Sequence, residues 1–291
     1  MALSDRIPYQ AQIDRSKLRQ PDVNKLAVWV IQNVEEWRIE NAMPRTVLSP
    51  PMGQPLLPDV PNWSWHEYGM RAGFWRQFKA LTDRAMPVTL ALNANVCNAY
   101  PRVAAAALDA GFEFMGHGFV QSPMHKLDNQ ADAIQRAVDT IAKFTKKAPR
   151  SWESPGLTET EDTLDLLRLS GIEYVADWVI DDLPQDIATA HGTITTIPYS
   201  VETNDIVIHA LQHLPSEQFL KRCTDQFDRL YLEGASNARI MAISIHPYIT
   251  GVPHRIKYLE ALLDYVIGHD DVALMTASEI GDWYRGEMMK K

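Results

Sequence analysis

The 291-residue chain is poor in cysteine: Cys97 and Cys223 are its only two, and they form no CxxC pair. That excludes a disulfide-stapled scaffold and a cysteine zinc cluster, and it suits a reducing compartment. No apolar run approaches the roughly 20 residues needed to span a bilayer. The opening stretch MALSDRIPYQAQIDRSKLRQPDVNK has neither the apolar segment nor the small-residue cleavage signature of a secretory leader. Glycine-rich phosphate loops and a GxSxG elbow are also missing, so nucleotide binding and serine-hydrolase chemistry find no support. Positive charge is in deficit: 28 Lys+Arg against 37 Asp+Glu leave a formal net charge of −9, which repels nucleic acid and anionic membrane. These absences lead us to expect a soluble, cytoplasmic protein with a small-molecule substrate and no nucleic-acid or membrane partner.

What is present is an α/β pattern. Hydrophobic residues at 46% and charged residues at 22% provide for a sizeable core. Strand candidates lie at 26–34, 87–96, 112–118, 149–154, 172–179, 193–199, 239–248 and 272–277, several of them continuously apolar, as strands covered on both faces are. Amphipathic helical patterns separate them. Thr158 and Glu161 have capping-box spacing before TLDLLRL, and Gly171 and Gly268 stand where helices stop. Eight strands alternating with helices, without a linker or repeat, predict one (β/α) barrel domain spanning residues 1–291, which includes an N-terminal arm over 1–21. The segment 41–63 carries six prolines and no clear period, which marks a long functional loop.

In such a barrel the chemistry lies at the C-terminal strand ends. Glu35 and Glu36 end the first strand, His117 the third, Asp177 the fifth (with Asp181 and Asp182 behind it) and His246 the seventh. Neighbouring strand residues point to opposite faces, so both glutamates reach one pocket only if the strand breaks there. A divalent cation with histidine ligands would then account for two adjacent carboxylates. Trp152 and Trp178 at strand ends, with Met124 nearby, are expected to wall a flat apolar pocket. Arg71 in YGMRAG is expected to contact a substrate carbonyl or pair with a glutamate.

The phrases HEYGMRAGFWR, GHGF, SPGLTET, DWVIDDLP, IPYSVETND and SIHPYITGVPHR, in this order, resemble the polysaccharide deacetylase superfamily, and within it the cytoplasmic allantoinase-like and cyclic imide hydrolase branch. The resemblance covers roughly residues 22–285 and implies a distorted (β/α) barrel and amide hydrolysis. It implies Glu35 as catalytic base, His246 as catalytic acid and Asp177 as the group orienting a partner. It also implies a divalent metal, zinc by preference, held by Glu36 and His117. The sequence departs from the family pattern in having glutamates for two aspartates, and Gln121 where a second histidine is usual. The third ligand is therefore His125 or Gln121. A homo-oligomer completes the expectation. Three functions remain open: ring opening of a cyclic imide or ureide, N-deacetylation of a sugar, and ligand binding by a barrel with a degraded site.

Overall fold

The computed structural model describes residues 3–19 and 25–290. Nine strands build one sheet: β1 Leu26–Val34, β2 Val88–Leu92, β3 Glu113–Gly116, β4 Ser151–Trp152, β5 Tyr174–Val175, β6 Gln185–Thr189, β7 Gly192–Thr196, β8 Ile240–Ile245 and β9 Val272–Leu274. Their order is β6-β7-β5-β4-β3-β2-β1-β8, with β9 added on β1. All pairs are parallel except β6–β7. The sheet curls into an incomplete barrel with helices outside. Between β8 and the β5–β7 side the closure is irregular, made by backbone bonds from Ile240 to Asp182 (3.2 Å) and from Ser244 to Thr203 (3.2 Å).

Period-two alternation sorts the core into two layers. Leu26, Val28 and Val30 of β1 face the helices, whereas Ala27, Trp29 and Ile31 join Ala91, Met115 and Tyr174 inside the curl. All nine residues of β1 are buried, as a central parallel strand requires. The β6–β7 hairpin was not expected from the sequence, because QDIAT is polar and only partly buried. The Thr158–Glu161 capping box does not form. The helix begins later, at Thr163, and the Thr158 hydroxyl is occupied by Met124 N–H and the Pro155 carbonyl. A capping box closes instead on Thr276 and Glu279, ahead of helix Ala277–Met289. Of the expected arm, residues 3–19 are described and Arg6 pairs with Asp165 at 2.7 Å; positions 1, 2, 20 and 21 lie outside the described residues. No helix among the described residues is long and apolar enough to cross a membrane.

Helix Val60–Tyr68 runs through a π-helical turn, Gly69–Gly73, into helix Phe74–Thr82. This hairpin-free rod leans on the loop after β8. A Cβ on Gly73 would sit 2.0 Å from the Pro247 carbonyl oxygen, a backbone atom that cannot swing away. Gly73→Ala should therefore destabilise the fold by about 1–3 kcal/mol through overpacking and displace the neighbouring His246. Denaturant midpoints and turnover measured together check it: a variant of native stability and rate would contradict the close approach.

Candidate active site

Parity along β1 answers why two glutamates stand together. Asn33 and Glu35 continue the inward series of Ala27, Trp29 and Ile31, so Glu35 enters the curl while Glu36 turns the other way. The strand does end at Val34, yet the chain keeps its alternation one step further. Glu36, itself buried, lies 3.5 Å from Arg38 on the wall of a cleft outside the curl, and its backbone N–H is held by Asn93 at 2.8 Å.

Glu35 is 1% exposed and heavily bonded. Its Oε2 accepts from Trp37 Nε1 (2.6 Å) and the Tyr248 hydroxyl (3.0 Å), and its Oε1 from Gln121 Nε2 (3.0 Å). Burial pushes this carboxyl up, but the facing His246 and Arg45 outweigh it and hold the group below the ordinary glutamate value. Behind it, His66 stacks on Trp37 (ring centroids 4.6 Å apart) and its Nε2 lies 3.0 Å from the Glu35 backbone carbonyl. The carboxylate is rigid and its remaining accessible direction is the one toward His246.

His246 Nε2 stands 3.7 Å from Glu35 Oε1, too far for a direct bond and suited to a shared water. Its Nδ1 lies 2.7 Å from Asp205 Oδ1; the carboxylate accepts, so the ring proton is on Nδ1. Asp205, fully buried, also accepts from the His246 backbone N–H and the Thr250 hydroxyl. His117 is arranged in a parallel way. Its Nδ1 donates to the Glu153 carbonyl at 2.7 Å, leaving Nε2 buried, without a partner and open as an acceptor. Burial lowers the His117 pKa to about 4, so the ring is neutral. Glu153 is itself buried; burial, reinforced by Asp177 and Glu35, pushes its carboxyl well above the usual range and favours the protonated form.

These groups surround a small inner cavity of about 40 Å³ lined by Glu35, Arg45, His117, Gln121, Glu153 and His246, among others. An outer cleft of about 660 Å³ adjoins it, and Arg45, Gln121 and Gly156 line both. The proline-rich segment 41–63 forms one wall of that cleft. It is pinned by Asn62, whose Oδ1 accepts from Val47 N–H (2.7 Å) and Leu48 N–H (3.0 Å). A wider open cleft between residues 9–12 and the 179–182 and 222–230 stretches contains neither Glu35 nor any histidine, so the chemistry is elsewhere.

Not all the residues expected at the site meet there. Glu35, His117, His246 and Gln121 come together. Asp177 does not reach His246: it accepts from Ser154 N–H at 2.6 Å, and the orienting carboxylate is Asp205. Asp181 pairs with Arg15 at 2.7 Å. Arg71, largely exposed, takes the second of its two expected roles, pairing with a glutamate, Glu67, at 2.9 Å. Trp152 and Met124 are buried in the helix-side core, with the Trp152 ring against Gly116, and Trp178 packs on the same cluster. Residues the sequence reading did not single out are Asp205, Tyr248, Glu153 and Arg45. Asp205 and Tyr248 lay within quoted motifs, but nothing in their local spacing marks them.

The donors present do not fit the divalent metal that the resemblance implies. Glu36 faces Arg38, His125 is exposed on a short 3₁₀ turn, and the Gln121 carbonyl oxygen accepts from Asn93 at 3.1 Å. Among the described residues no group of three His, Cys, Asp or Glu is placed to hold a metal ion.

Comparisons with known proteins bear on this arrangement. A family model for polysaccharide deacetylase matches residues 64–175, a span that includes His117 and Glu153 but neither Glu35 nor His246. A Schizosaccharomyces pombe protein assigned to the polysaccharide deacetylases is 27% identical over 236 residues, covering 75% of this chain and 74% of its own length. A solved structure described as a probable polysaccharide deacetylase of Pseudomonas aeruginosa PAO1 has a TM-score of 0.81 at 28% identity, over 91% of this chain and 92% of that one. An allantoinase structure has a TM-score of 0.84 at 23% identity, over 96% and 98% of the two chains; at that identity the likeness speaks for the fold.

Proposed function

The chain belongs to the polysaccharide deacetylase superfamily, and on that premise we propose that it hydrolyses a non-peptide C–N bond, opening a small cyclic imide or ureide with an activated water. The observation that carries this reading is the inner cavity, small and buried, into which Glu35 Oε1, His246 Nε2 and His117 Nε2 all turn. Members of this family generally depend on a divalent metal; because the donor set here does not fit one, the steps below use the chain's own side chains.

A water held between Glu35 Oε1 and His246 Nε2 gives its proton to Glu35 as its oxygen attacks the amide carbonyl carbon. The carbonyl π pair moves to oxygen. When the tetrahedral intermediate collapses, the C–N bond breaks, its electron pair goes to nitrogen, and the proton that Glu35 took from the water passes by way of His246 Nε2 to that nitrogen, while Asp205 holds the ring through its Nδ1–H. A cyclic imide leaves one product bearing both a carboxylate and an amide. The neutral His117 accepts a hydrogen bond from the water or from a substrate N–H.

N-deacetylation of a sugar uses the same machinery, and one observation favours it as a second reading: the outer cleft, at about 660 Å³, has room for a monosaccharide beside the inner cavity. The two are separated by measuring kcat/KM for succinimide or phthalimide and for chitin oligomers on one preparation. We expect clear ring opening and little acetate release. A preference for the oligomer overturns the imide reading, and inactivity on both leaves a barrel that only binds.

A further inference from the structure

Hydrolysis of the amide needs a group to receive the negative charge that develops on the carbonyl oxygen. We propose that Arg45, which the segment 41–63 carries to the seam between the inner cavity and the outer cleft, binds the carbonyl oxygen of the scissile amide and stabilises the oxyanion that forms on it.

Among the lining side chains Arg45 stands out by pairing a full positive charge with a free N–H, whereas the protonated Glu153 offers only a neutral donor. The Gln121 amide N–H is spent on Glu35. The Tyr199 hydroxyl donates to Ser244 at 2.7 Å, and Asn204 donates to Tyr199 at 2.8 Å. Glu35 is an anion and repels an oxyanion, and His117 offers a lone pair where a donor is needed. Arg45 lines both cavities, and its Nε is buried without a hydrogen-bond partner. Tyr248 and Glu35 act electrostatically on its guanidinium, favouring the charge that burial opposes, and the Tyr248 hydroxyl itself donates to Glu35. The cation thus stands beside the base and keeps an unused N–H. In a water-poor cavity, a fixed donor with full charge stabilises developing charge far better than it would in water.

The positioning is local and strong. Asn62 clamps the backbone two and three residues beyond Arg45, and Trp63 Nε1 donates to the Trp37 carbonyl at 3.1 Å, tying the far end of the segment to the chain just after Glu35. Proton transfer does not involve Arg45. Water loses its proton to Glu35, the new C–O bond forms, and the displaced π pair rests on the oxygen against the guanidinium until the C–N bond breaks.

This assignment rests on the amide-hydrolysis reading, and its test has one arm that needs no turnover. On whichever substrate the wild type hydrolyses, Arg45→Ala should lose about 10²–10³-fold in kcat, the effect of removing one oxyanion donor, with a much smaller change in KM. Guanidinium chloride at millimolar concentration should restore part of the rate, while ethylammonium should restore less, because the planar fork is what binds oxygen. Methylphosphonate, a tetrahedral anion, should bind the wild type and bind Arg45→Ala at least about tenfold more weakly by calorimetry; Arg45→Lys, which preserves charge and bulk, should fall between them. Thermal melts establish that each variant is folded. Equal phosphonate binding by wild type and Arg45→Ala, no phosphonate binding by the wild type, or a lost rate that guanidinium does not restore, each overturns the proposal. Absence of wild-type turnover on imide and acetylated sugar alike would overturn the functional reading instead, and the phosphonate arm would still decide the role of Arg45.

Discussion

Glu35→Gln should lower kcat/KM by about 10²–10⁴-fold while leaving the fold intact, because the amide preserves the shape of the carboxylate and removes proton acceptance. Gln at this position can still accept from Trp37 and Tyr248 through its carbonyl oxygen. The amide nitrogen must then stand on the side of Gln121, where a donor meets a donor, so a modest stability loss should accompany the large loss in rate. The pH profile supplies an independent check. The cations around Glu35 hold its pKa below the ordinary value of 4.5 despite burial. A base works only when ionised, so the rate should stay on its plateau as pH falls to about 4.5 and drop only below that. An acidic limb centred well above 4.5, or a Gln variant with near-native rate, would remove Glu35 from the role of base.

Asp205→Asn should lower kcat by a similar factor, about 10²–10⁴-fold, for a different reason. Asp205 accepts three hydrogen bonds, from the His246 ring, the His246 backbone N–H and the Thr250 hydroxyl. The neutral amide loses the charge that supports a protonated ring, and its NH₂ can instead donate to Nδ1, which turns His246 to the wrong tautomer. Stability should also fall, by about 1.5–3 kcal/mol for a weakened charged hydrogen bond in a dry site. If His246 acts as acid, the loss should grow as the leaving nitrogen becomes more basic across a series of substituted imides. The effects of Asp205→Asn and His246→Ala should also be far from additive, since the two residues act as a unit. A flat dependence on leaving group, or full additivity, would separate Asp205 from the acid step. The sign of the His117 effect on stability is also set. Its folded pKa, about 4, lies below the usual histidine value of 6.5, so the unfolded chain takes up its proton first and stability is lost as pH falls from about 6.5 to about 4.

The alternation of apolar runs and helical stripes already identified the α/β barrel and the strand ends that carry Glu35, His117 and His246. These features are local: the direction of a side chain follows from the pleat or the helical turn, and a run of eight to eighteen residues is enough to read it. The same rule, followed one residue past Val34, separates Glu35 from Glu36. Expecting a chain break there hid that result.

What the linear pattern could not supply is which distant groups face one another. Tyr248 meets Glu35 across 213 positions and Asp205 meets His246 across 41. Arg45 arrives on a segment with no periodicity, whose path is held by the Asn62 clamp and the Trp63–Trp37 bond. Trp152, Trp178 and Met124 read as pocket walls because they stand at strand ends, but the closeness of Gly116 leaves the Trp152 ring room only within the core. The identity of strand-end residues was thus determined by short-range chain geometry. The make-up of the catalytic cluster, and the absence of a three-ligand metal set among the described residues, were decided by loop paths and long-range packing, because the burial energy that sets those paths depends on the whole folded surface rather than on neighbouring residues.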